Sequence, residues 1–122
     1  MPPGSWPAVV LVDVADSRVA FELSWLLSQA GVAVRTGSRA ADAGGGAIDV
    51  AIVDDPSHIS GLRLAAAPPG WTVPLIIVRS TAGPRERAAL LRGGIDHVVD
   101  STAPADEIAE VVLALLRRRR RP

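Results

Sequence analysis

The 122-residue sequence contains no cysteine, lysine, tyrosine or asparagine. The lack of cysteine excludes disulfides, zinc–thiolate centres and cysteine nucleophiles, and with them a small secreted scaffold held by disulfides. The lack of lysine excludes any chemistry that requires an ammonium side chain. Aromatic residues are scarce, three Trp and one Phe, so the core is expected to be built from Ala, Val, Leu and Ile. No apolar run approaches the roughly 18 residues that a spanning helix needs. No basic residue precedes Arg18 and Asp13 interrupts the first apolar stretch, so the N-terminus does not read as a signal peptide. The default expectation is a soluble, cytoplasmic protein of one domain.

What is present is unevenly placed. All 13 basic residues are arginine, and five form the run Arg117 to Arg121. The rest of the chain carries eight arginines against 13 acids, a charge of −5, which argues against a nucleic-acid face on the body of the domain. The run itself suits either an anionic partner, nucleic acid or membrane surface, or a helix end leading into a linker towards an effector domain. The second is preferred.

Short apolar runs alternate with helical patterns. Residues 1–7 are rich in Pro and Gly and read as a lead-in. Strands are expected over 8–13 (AVVLVD), 32–36 (VAVRT), 48–54 (IDVAIVD), 73–78 (VPLIIV) and 96–99 (DHVV). A helix is expected over 17–30, with Val19, Leu23, Leu26, Leu27 and Ala30 on one face and Gly31 as its stop. Weaker helices are expected within 37–47 and over 57–67. Another spans 84–92, opening on Pro84 and closing at Gly93–Gly94. The last begins at Pro104, with Asp106 and Glu107 in its first turn. Ile108, Val111, Val112, Leu115 and Leu116 form its buried stripe. Together these give an α/β fold, (βα)5, with a five-stranded parallel sheet wound on both faces over residues 8–116, and 117–122 as an Arg-rich tail.

In such a sheet, ligands gather at the carboxyl ends of the strands. Those ends carry Asp13 and Asp16, Asp54 and Asp55, Arg79, Ser80 and Thr81, and Asp100, Ser101 and Thr102. Clustered carboxylates with hydroxyls and one arginine suit a hard cation and phosphate chemistry. The same residue types are also ordinary turn and helix-start residues. The sequence leaves both readings open.

LVD at 11–13, IDVAIVD at 48–54, VPLIIV at 73–78 and AALLRGGIDHVVDSTAP at 88–104 together resemble the receiver domains of bacterial response regulators, the CheY-like family. The resemblance covers about residues 8–116 and implies a flavodoxin-like strand order of 2-1-3-4-5. It places Asp54 at the phosphoacceptor position and Asp13 at the first of two metal-binding acids. The second acid falls at Val14, for which Asp16 is a partial substitute. It places Arg79, with Ser80 beside it, at the hydroxyl position that senses the phosphoryl group. His97 falls at the aromatic switch position and Asp100 at the lysine position, a reversal of charge.

These departures imply a degenerate member that signals by protein contact, with no enzymatic activity beyond self-phosphorylation on Asp54. Mg2+, through Asp13 and Asp54, is expected to bind weaker than millimolar. Asp100 is expected to repel a phosphoryl group. Two alternatives stand beside this reading: a working phosphoacceptor that uses Asp54, and a small-ligand-binding regulatory domain. The partners implied are a sensor kinase or an effector domain. A homodimer is expected through the face of the fourth helix, fifth strand and fifth helix, with His97, Glu107 and Glu110.

Of the remaining residues, Arg79 has two orientations, paired with Asp54 or Asp55, or turned to solvent with Ser80 facing the pocket. The outward one is preferred. His58 is expected on a loop surface, and Trp25 and Trp71 are expected to pack. Gly44 to Gly46 lacks the strand–GxGxxG–helix setting of a dinucleotide site, and no phosphate-binding GxxxxGK[ST] loop occurs.

Overall fold

The computed structural model describes residues 8–36, 48–54 and 75–120. Its strands are β1 (Val9–Asp13), β2 (Ala33–Thr36), β3 (Val50–Val53), β4 (Leu75–Ser80) and β5 (His97–Asp100). Its helices are α1 (Ser17–Gln29), α2 (Pro84–Arg92) and α3 (Ala105–Arg120). The strands form one parallel sheet in the order β2-β1-β3-β4-β5. The expected helices within 37–47 and over 57–67 lie outside the described residues, as do the lead-in, Gly44 to Gly46, Asp55, His58 and Trp71.

Side chains of a strand alternate between the faces of the sheet, and two separate cores follow from that alternation. Val10, Val12, Val50, Ile52, Ile77 and Val99 face α1 and α3 and meet Leu23, Leu27, Ile108 and Val112. Leu11, Ala51, Val53, Ile76 and Val78 face the other way, where Leu90 of α2 packs against them. Every residue of β3 is buried, which is why its sequence is a continuous apolar run rather than an alternating one.

Two acids close the opposite end of the sheet from the candidate site. Asp49, just before β3, accepts the Val9 N–H at 2.8 Å through its carboxylate, and its own N–H donates to the Val9 carbonyl at 2.8 Å. Asp96, just before β5, accepts the Ile76 N–H at 2.7 Å and donates to the Ile76 carbonyl at 3.0 Å. The Ile-Asp pairs at 48–49 and 95–96 thus share one structural task. Each satisfies a backbone donor where its neighbouring strand begins.

Helices α1 and α2 stop in the same way. Gly31 and Gly94 take φ of 85° and 104°. The following N–H groups of Val32 and Ile95 then donate back to the Leu27 and Leu90 carbonyls, at 3.0 and 3.2 Å. A side chain at either glycine would meet the left-handed penalty.

Three expectations need correction. Trp25 does not pack: it is 56% exposed, and Phe21, one turn earlier, is 72% exposed. The helix turns about 100° per residue, so with Leu23 and Leu27 set on the sheet, positions 21 and 25 fall on the far side. Ala30 is the exposed C-cap of α1, past the buried stripe. Pro104 is not helical: α3 begins at Ala105, with the Pro104 carbonyl accepting the Ile108 N–H at 3.2 Å. The backbone of α3 stays helical through Arg120, so Arg117 to Arg120 form the end of that helix, as expected of a helix end. No helix among the described residues is long and apolar enough to cross a membrane.

Candidate functional site

A parallel sheet brings all strand ends of one polarity to one edge, so Asp13, Asp54, Arg79, Ser80 and Asp100 stand along the same rim. Register then decides which of them meet. Ile52 pairs with Ile77, and two residues further on come Asp54 and Arg79, on the face covered by α1 and α3. Ser80 pairs with Asp100. Both share parity with Val78 and Val98, which belong to the α2 side.

Asp54 is held from two directions. Its Oδ2 accepts the Ala15 N–H at 2.8 Å. Its Oδ1 lies 3.5 Å from Nη1 of Arg79. That distance makes an ion pair but only a marginal hydrogen bond. The stronger contact of the guanidinium is on its other arm, where Nη2 donates to the Ser101 carbonyl at 2.7 Å. The Arg79 side chain is 12% exposed and that of Asp54 29%. Nε of Arg79 is buried with no partner among the described residues, an uncompensated donor that costs about 1–3 kcal/mol.

The outward orientation preferred for Arg79 is therefore overturned. The inward side chain is Arg79, and the Ser80 hydroxyl instead accepts the Ala82 N–H at 3.0 Å to shape the turn after β4. The physical reason is period two: a residue two places past buried Ile77 cannot face the α2 side.

Asp16 is occupied as the N-cap of α1. Its Oδ1 accepts the N–H groups of Arg18 and Val19 at 3.0 and 3.3 Å, the ordinary service of an acid at that position. Val14 is half-buried against the α1–α3 core. His97 opens β5 in register with Ile77, below the rim on which Asp54 and Arg79 stand. It is half-buried.

Asp100 is not an unpaired charge on the rim. Its Oδ1 accepts the Thr102 N–H at 2.8 Å and the Thr102 hydroxyl at 2.7 Å. Its Oδ2 lies 3.2 Å from Nη2 of Arg87, whose Nε donates to the Ala82 carbonyl at 3.0 Å. The Thr102 backbone N–H, then the Thr102 hydroxyl and the Arg87 guanidinium, hold the Asp100 carboxyl below its ordinary value of 3.8. A carboxyl lowered in the folded state stabilises that state above its unfolded pKa, and the contribution disappears as pH falls through the folded one. Asp100→Asn should thus shift the urea midpoint near neutral pH, and the difference from the parent should begin to shrink only as pH falls below about 3.8, disappearing beneath the lowered folded value. A difference that persists in acid would show that packing, not charge, carries the effect.

Arg87 and the Ser101 carbonyl are the site groups that the sequence did not single out. The signal for Arg87 was present only in combination: an arginine in the first turn of α2, over a strand pair whose register sets Ser80 beside Asp100. A backbone carbonyl leaves no sequence signal.

The described residues alone offer Mg2+ a poor site. Oδ2 of Asp54 accepts the Ala15 N–H, Arg79 sets a positive charge 3.5 Å from Oδ1, and Val14 offers no side-chain ligand oxygen. No group of three or more His, Cys, Asp or Glu among the described residues is placed to hold a metal ion. A divalent cation held by few carboxylates needs those oxygens free.

No protein-family model matches the sequence, and no curated protein does. The fold, by contrast, matches 36 solved chains. An orphan response regulator of H. pylori matches at a TM-score of 0.70 and 17% identity, over 94% of this chain and 99% of its own. A two-component response regulator from Clostridium difficile matches at 0.71 and 16%, over 92% and 98%. A Francisella response-regulator receiver domain matches at 0.69 and 19%, over 92% and 98%. Identities this low speak for the fold and for nothing finer. With its 2-1-3-4-5 parallel sheet and helices on both faces, the chain has the fold of the response-regulator receiver domains.

Proposed function

We propose that this chain is a receiver-type signalling module that works through protein contacts, without ordinary phosphorylation of Asp54. One observation carries the reading: the cation set beside Asp54 is Arg79, 3.5 Å from its Oδ1, while its Oδ2 accepts the Ala15 N–H. Phosphoryl transfer to a carboxylate needs mobile positive charge to meet the incoming oxygens. Here the nearby cation is a planar fork with one arm committed to the Ser101 carbonyl. It is not equivalent to an ammonium or a hydrated metal, and the chain has no lysine to supply one.

The natural partners of such a module are a sensor kinase or an effector domain, and its place is the cytoplasm. A weak homodimer would use the flank of edge strand β5 with α2 and α3, near His97, Glu107 and Glu110. Sedimentation that finds only monomer at high concentration would remove that face from the proposal.

The decisive experiment is incubation with acetyl phosphate or phosphoramidate and Mg2+, read by intact mass. The mass should stay unchanged. A stable phosphoryl adduct that disappears in Asp54→Ala would overturn the proposal and make Asp54 a working phosphoacceptor.

A further inference from the structure

Arg79 joins two parts of the rim that are otherwise separate. One arm pairs with Asp54 after β3, and the other holds the carbonyl of Ser101 in the turn between β5 and α3. That turn is short and tightly bonded. The Ser101 N–H donates to the Ser80 carbonyl at 3.1 Å, and the Ala103 N–H to the Asp100 carbonyl at 3.0 Å. Thr102 N–H donates to the Asp100 carboxylate at 2.8 Å. Ala103 and Ala105 are buried immediately afterwards, so the position of the turn sets where α3 begins. A second arginine repeats the device across the adjacent loop: Arg87 ties Asp100 to the Ala82 carbonyl.

We propose that Arg79 is a built-in latch, a tethered cation that bridges Asp54 to the β5–α3 turn and holds the surface around the start of α3 in one arrangement. The inference rests on the receiver-type reading and extends it to regulation. The bridge that fixes the turn is an arginine of this chain, present at all times, so neither a phosphoryl donor nor a divalent cation sets its position. Release of the turn requires displacement of the guanidinium from Asp54 or from Ser101. A protein partner that presents a carboxylate or carbonyl to Arg79 would do this; a small donor that must first gain access to Asp54 would not. The guanidinium suits the role because its planar fork reaches two acceptors at once, as an ammonium does not.

Amide hydrogen exchange on the full chain tests the latch. In Arg79→Met, exchange at Ser101, Thr102 and Ala103 should rise about tenfold, the scale of one charge-assisted hydrogen bond. The amides of Val12 and Ile52, deep in the sheet, should keep their rates. Unchanged exchange at 101–103 would overturn the latch. If Arg79→Met does not fold, Arg79→Lys keeps the charge without the fork, and wild-type protection in that variant would overturn it equally. Asp54→Asn keeps an acceptor oxygen but loses the charge, and should speed the same amides by a smaller factor. If Asp54→Asn protects the turn fully while Arg79→Met does not, Arg79 acts through Ser101 alone and the bridge is refuted. Parallel runs of the unmodified protein with Mg2+ and acetyl phosphate separate this outcome from that of the functional proposal. A phosphoryl adduct there with an unaltered Arg79→Met result overturns the functional proposal and leaves the latch standing. No adduct, with an inert Arg79→Met, does the reverse.

Discussion

Ile52→Ala should lower the unfolding free energy by about 3–5 kcal/mol, the range for removing a fully buried branched chain that its surroundings cannot refill. Ile52 is 0% exposed. It sits in the middle of β3, between β1 and β4, in register with Val12 and Ile77. Those strands are tied by their backbone ladders and cannot close on the cavity. For a chain of this size the loss amounts to roughly 10–20 °C in Tm. It is a large share of the 5–15 kcal/mol typical of a domain. Ile52→Val, which removes one methylene, should cost about 1 kcal/mol. Trp25→Ala removes a far larger side chain, yet should change stability by less than about 0.5 kcal/mol because that side chain is already exposed. Urea titration of the three variants reads the order directly. A Trp25 variant as unstable as Ile52→Ala would mean that α1 lies on the sheet with a different face inward.

Composition and periodicity carry the strands and the three described helices, because each depends on local apolar spacing, whereas the strand order follows from the family resemblance. The two-sided burial of β3 is visible as the uninterrupted apolar VAIV of residues 50–53. Helix α2 was legible to the residue, since Pro84 opens it and Gly93–Gly94 closes it. What failed were statements about facing. Trp25, expected to pack, lies between Leu23 and Leu27, two residues to either side, which take the inward face. Arg79, expected to turn outward, shares the parity of Ile77 and points inward. The parity was readable in VPLIIVRS, but not which face α1 and α3 would cover. That depends on the crossovers of the whole sheet. The acids divided in a way that residue type could not announce. Asp49 and Asp96 serve strand starts, Asp16 caps a helix, Asp100 closes a turn, and Asp54 is paired with the arginine.

Removal of either partner from the Asp54–Arg79 pair should have unequal consequences. Asp54→Ala takes away the carboxylate that balances a guanidinium only 12% exposed, and with it the acceptor for the Ala15 N–H. A largely buried charge without its partner is costly, about 3–5 kcal/mol in full burial. Here Arg79 keeps its short bond to the Ser101 carbonyl and Asp54 is itself partly solvated, so a loss of about 2–3 kcal/mol is expected. Arg79→Met is different. It leaves Asp54, 29% exposed, with the Ala15 N–H and access to water. It also removes the Nε donor that has no partner and fills the space with an apolar chain of similar length. Replacement of buried ionic groups by packed apolar ones is often neutral, and a global change within about 1 kcal/mol is expected. The latch variant should thus loosen the β5–α3 turn without lowering overall stability by much, because local opening and global unfolding draw on different contacts. Chemical denaturation at neutral pH reads both variants. Equal losses from the two would mean that the ion pair alone stabilises this rim. A larger loss from Arg79→Met would place the main contribution in the Ser101 bond, and would make the latch a requirement for folding rather than a device held within the folded protein.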